Sequence, residues 1–102
     1  MFTIIDDAPK KNRFYRNDRV RWMSQSYGTV KTKVGTVVQC VPPNGYPDLK
    51  KFPMRQILRY PENHRPEPRP VLSYVVAVYR DNRKTEFYWP RESLLKRVTD
   101  GI

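Results

Sequence analysis

The stretch "VLSYVVAVYRDNRKTEFYWPRESLLKRV", residues 71 to 98, decides the fold. Strand side chains alternate, so "VLSYVVAVY" sets Tyr74, Val76 and Val78 on one face and Val75, Ala77 and Tyr79 on the other. Apolar groups on both faces mark an interior strand, or one that bends across two sheets. "RDNRK" is a hairpin loop, because Asp81 and Asn82 tolerate turn conformations. "TEFYW" is the returning strand: Phe87 and Trp89 share a face and are expected in the core, and Tyr88 is expected at least partly exposed. Pro90 has no N–H and should end the ladder. "PRES" then gives a brief helical turn and "LLKRV" a short closing strand.

Upstream, "NDRVRWM" (17 to 23) alternates, with Val20 and Trp22 pointing one way and Arg19 and Arg21 the other, the mark of a half-buried strand. Gly28 is a turn position. "VKTKVGTVVQCV" (30 to 41) is rich in β-branched residues, and Gly35 within it suggests a bulge or bend. Residues 1 to 16 read as a solvated arm or edge strand. Between 42 and 70 the character changes, since eight of the ten prolines fall there. "PPNGYP" forms tight turns and "RPEPRP" an extended linker. "PMRQILRY" (53 to 60) suits about two helical turns, opened by Pro53 and ended by Pro61.

At 102 residues the chain holds one domain. Hydrophobic residues are only 38% of it, but aromatics reach 13% and each ring buries a large area. The net charge of +10 favours polyanionic partners. Residues 1–23 carry +3, 24–41 +2, 42–71 +3 and 80–97 +3, so no single segment of the sequence is a basic patch. Cys40 is the one cysteine, which leaves no internal disulfide or Cys-based zinc site and fits a reducing compartment. The start "MFTIIDDAPKKNRF" lacks the basic-then-apolar order of a signal peptide, and no apolar run approaches the roughly 20 residues of a membrane helix. The expectation is an intracellular protein, cytoplasmic or associated with nucleoid or nucleus, without membrane contact.

The strand order with its late helical turn resembles the SH3-like small β-barrels, including the Tudor-like and KOW-like modules. "DRVRW" is similar to their first strand and "GTVVQCV" to the second. "SYVVAVYRDNRKTEFYWPRESLLKRV" is similar to their hairpin and closing turn. The resemblance covers about 60 to 65 residues and departs at the long Pro-rich insertion. It implies a mainly β fold: a small barrel of about five strands spanning residues 1–102, with an arm at 1–16 and an insertion at 42–70 carrying a short helix.

Catalysis is hard to assemble from these residues. His64 is the sole histidine and sits in a proline-flanked loop, Cys40 reads as a small core residue, and the four glycines are too scattered for a phosphate loop. The adjacent pair Asp6 and Asp7 falls short of a metal site, so no enzyme, metal or cofactor is implied. Nucleic-acid binding is the leading expectation, to DNA or RNA with weak sequence preference. Lys31, Lys33, Arg80, Arg83 and Lys84 would hold phosphates from two loops, and Tyr27 or Tyr88 would stack on a base. A cage for methylated Lys or Arg would draw on Trp22, Tyr27, Tyr74, Tyr79 and Tyr88, as the resemblance to Tudor-like modules implies. The alternative is a protein-interaction module, or an inhibitor of a nucleic-acid-handling complex of phage or mobile-element type. It would dock on an acidic or nucleic-acid-associated protein through Phe52, Met54, Ile57 and Tyr60 of the insertion.

Overall fold

The structure, a computed structural model, describes residues 13–26, 28–54, 65–79 and 84–98. The fold is mainly β. Its strands are β1 (Arg19–Ser26), β2 (Thr29–Val41), β3 (Ser73–Tyr79), β4 (Thr85–Tyr88) and β5 (Lys96–Arg97), with one 3₁₀ turn at Glu92–Leu94. They form a single antiparallel sheet in the order β4-β3-β2-β1-β5. Gly28 turns the β1–β2 hairpin with φ of 78°, a conformation that costs glycine nothing.

The thirteen residues of β2 serve two partners in succession. Its first part pairs with β1 from Thr29 to Thr36, and its second pairs with β3 from Thr36 to Val41. Gly35 sits at the changeover. A Cβ there would lie 2.5 Å from the Ala77 carbonyl oxygen, so glycine is what lets β3 approach. The bulge expected at Gly35 falls instead at Val38, where the register shifts between Val37 and Gln39. That extra residue flips the alternation of the strand. Val37 and Cys40 consequently face one side of the sheet, and Val38 and Val41 the other.

Both faces of β3 are buried, which gives the sheet two apolar layers. Val20 and Trp22 of β1 join Tyr74, Val76, Val78, Val37, Phe14 and Leu95 in the inner layer. The sheet curls tightly around it. The rings of Trp22 on β1 and Tyr88 on β4 lie 5.8 Å apart, although β2 and β3 separate those strands; in a flat sheet they would be about 14 Å apart. On the outer side, residues 42–54 fold back over β3 and β4. Tyr46, Leu49, Phe52 and Met54 pack there on Val75, Phe87 and Trp89. Asp48 shapes this cover: its carboxylate accepts the N–H groups of Lys50 and Lys51, and its own N–H donates to Gln39 Oε1.

Three expectations need correction. Phe14 is not in a solvated arm but sits in the inner core at 2% exposure. The turn from Tyr15 to Asp18 folds it inward, with Asn17 at positive φ and the Asp18 carboxylate accepting the Tyr15 N–H. Phe87 is only half-buried, as is Tyr88; each fills the edge of its own layer, so the two differ in face and not in burial. Pro90 interrupts the ladder without ending it. Its carbonyl still accepts the Tyr74 N–H, and the same register resumes at Ser73 and Arg91. The helical turns expected over 53 to 60 lie, from residue 55 onward, outside the described residues.

A buried relay ties the ends together. The Tyr74 hydroxyl donates to Glu92 Oε2 at 2.6 Å and accepts the Phe14 N–H. Burial first, and then the Glu92 acceptor, push the Tyr74 phenol well above its usual range, so it stays a neutral donor. Met54 tests the outer layer: Met54→Ala should cost about 2–5 kcal/mol by urea denaturation, as for other buried methionines. A cost near zero would mean that residues 42–54 are not packed on the sheet.

Candidate nucleic-acid interface

The β1–β2 hairpin projects past the core and carries different chemistry on its two faces. Residues directly opposite on antiparallel strands share a face. Trp22 is opposite Lys33 and Ser24 opposite Lys31, so both lysines stand on the inner side. The Lys33 ammonium lies 4.7 Å from the centre of the Tyr88 ring, a cation–π contact, and the Tyr88 hydroxyl donates to Glu86. Lys31, Lys33 and Tyr88 thus belong to one side of the curled sheet, as two converging loops would require. The Tyr88 ring, however, already holds Lys33 on its face and Trp22 at its edge. Lys84 is exposed just before β4. Tyr27, Arg80 and Arg83 lie outside the described residues.

The outer face of the same hairpin carries exposed side chains. Arg19 is opposite Thr36, Arg21 opposite Val34 and Met23 opposite Thr32. On its other side Arg21 is opposite Lys96 of β5, which sets two cations side by side. Arg19, Arg21 and Lys96 are all exposed. No acidic residue occurs in β1, β2 or β5. Four of the five acids among the described residues are engaged elsewhere: Asp18 pairs with Arg97 at 3.2 Å, Asp48 accepts the Lys50 and Lys51 N–H groups, Glu86 is at Tyr88, and Glu92 is at Tyr74. Among the described residues the insertion packs on the β3–β4 side, and no residue of β1 or β5 belongs to the outer apolar layer.

Like charges held directly opposite are destabilising, by roughly 0.2–1 kcal/mol. An anion laid across Arg19, Arg21 and Lys96 removes that cost. The alternation of Arg19 and Arg21 is visible in "NDRVRWM". Their union with Lys96, 75 residues beyond Arg21, depends on the β1–β5 pairing and has no signature in the sequence.

The described rings named for a cage do not converge, and of the docking segment only Phe52 and Met54 are among the described residues. Tyr74 is fully buried and bound to Glu92, and Tyr79 stands on the face opposite to Tyr88, so these rings cannot enclose one ligand. Met54 is buried and Phe52 half-buried, with the Phe52 ring 5.4 Å from Phe87, so both pack the insertion onto the sheet. Ile57, Tyr60, His64, Asp6 and Asp7 lie outside the described residues. Cys40 is partly buried, with its thiol donating to the Phe14 carbonyl.

Arg69 lies over the Trp89 ring at 4.7 Å and donates to the Trp89 carbonyl. Desolvation, with Arg91 adding repulsion, lowers its affinity for the proton, which marks it as a structural guanidinium and not part of the open strip. Among the described residues no helix is long and apolar enough to cross a membrane. No family model, curated protein or solved structure matches this chain.

Proposed function

We propose that the protein is a non-enzymatic nucleic-acid-binding module, built as a small SH3-like barrel, that holds the phosphate backbone on the outer face of β1, β2 and β5. The barrel reading is supported by the strand order, by the 3₁₀ turn before β5 and by the curl that brings Trp22 to Tyr88. The observation that carries the function is the exposed strip of Arg19, Arg21 and Lys96, with no acid beside it on the sheet among the described residues. A phosphate chain supplies repeated negative charge at low cost in shape, and its counterions are released on binding. Lys31, on the inner side of the hairpin, extends the cationic field around the edge. Such contacts position a strand without reading its bases, so DNA and RNA are both ligands and sequence preference is weak.

Fluorescence anisotropy with a labelled oligonucleotide, titrated between about 50 and 200 mM salt, tests this reading. The triple variant Arg19→Gln, Arg21→Gln, Lys96→Gln should bind more weakly, with the slope of log K against log salt reduced by roughly 2 to 3. It should melt at the same temperature as the parent or higher, because a like-charge pair has been relieved. The double variant Lys31→Gln, Lys33→Gln should lose less. Parental affinity in the triple variant would remove the outer strip from the interface.

A further inference from the structure

Resting on that reading, we infer that the outer face selects single-stranded nucleic acid over duplex, with Tyr79 as a stacking platform. Four large apolar side chains of the strands are exposed: Tyr79 at 65%, Met23 at 64%, Val30 at 56% and Val34 at 37%. All four lie on the outer face. Met23 and Val34 alternate with Trp22 and Lys33, and Val30 lies two positions beyond Thr32 on the same side. Tyr79 follows Ala77, whose partner Thr36 is itself opposite Arg19. The cations and the exposed apolar groups therefore share one side of one curled sheet.

A duplex cannot use the apolar half of this surface. Its bases are stacked inside, where an apolar sheet face cannot lie against their rings. A single strand offers both parts the face can hold. Its phosphates meet Arg19, Arg21 and Lys96, and an unstacked base lies on Tyr79 or on the floor of Met23, Val30 and Val34. The lack of any acid on β1, β2 and β5 favours this occupant over a protein surface, which would bring charges of both signs.

The test compares a 20-nucleotide single strand, as DNA and as RNA, with the matching duplexes at about 100 mM salt, using the full chain. The single strands should bind at least about 10-fold more tightly than the duplexes. Tyr79→Ala should weaken single-strand binding by about 5- to 150-fold, the range for loss of one stacked base, and leave duplex binding unchanged. Tyr79 is two-thirds exposed, so its removal should not lower the melting temperature. Equal affinity for single strand and duplex, with the salt dependence intact, would overturn the stacking inference while the phosphate reading stands. Failure to bind any nucleic acid would overturn both.

Discussion

Gly35→Ala should destabilise the protein by roughly 3 kcal/mol, although alanine is ordinarily the better strand residue by 0.5–1 kcal/mol. The new methyl carbon would sit 2.5 Å from the Ala77 carbonyl oxygen and 2.6 Å from Val76 Cγ1. The first obstacle is backbone, and it belongs to the strand that β2 is about to join. Neither strand can retreat cheaply, because Thr36 pairs with Arg19 on one side and with Ala77 on the other. Urea denaturation should show a lower midpoint with an unchanged slope. A wild-type midpoint would mean that β2 and β3 do not approach each other closely at this residue.

The second large loss is expected at Trp89. Its indole is buried against Val75 and Val41 and meets Tyr46 edge-on at 5.2 Å. Its N–H donates to the buried Ser73 hydroxyl at 2.7 Å, and Arg69 covers its ring. Trp89→Ala should cost about 3–5 kcal/mol for the cavity, with a further 1–3 kcal/mol for the orphaned Ser73 hydroxyl. That consumes most of the 5–15 kcal/mol available to a small domain, so the variant should be largely unfolded by circular dichroism. Trp89→Phe separates the two terms. It keeps much of the ring volume but loses the N–H, and it should remain folded with a loss of about 1–3 kcal/mol. If Trp89→Ala melted like the parent, the outer layer would not contribute to stability.

Alternation carried much of the fold. The split between Val20 and Trp22 on one side and Arg19 and Arg21 on the other was readable, as were the two buried faces of β3 and the turn at Gly28. Each is a local consequence of a period of two. What escaped reading depends on contacts between distant segments. Phe14 looks like arm because its partners Tyr74 and Leu95 lie 60 and 81 residues away. The bulge at Val38 has no glycine to announce it, whereas Gly35, which drew attention, answers to a neighbouring strand. The candidate site divides in the same way. Charge and aromatics pointed to binding, but loops drew the attention, and the open face of a strand became visible only once Lys96 was placed beside Arg21.

Arg97 gives the molecule a schedule as well as a shape. From β5 it donates to the Arg13 carbonyl across 84 positions of sequence, pairs with Asp18 and lies over the Phe14 ring. During synthesis the segment around Phe14 leaves the ribosome before β5 and waits 84 positions for its partner. Until then β1 has an open edge and the inner layer lacks Leu95, so the β1–β2–β3 meander alone is an incomplete protein with apolar groups exposed. Closing a loop of that length is entropically slow to begin but adds little to the final cost. The sheet is therefore complete only once β5 has docked on the open edge of β1.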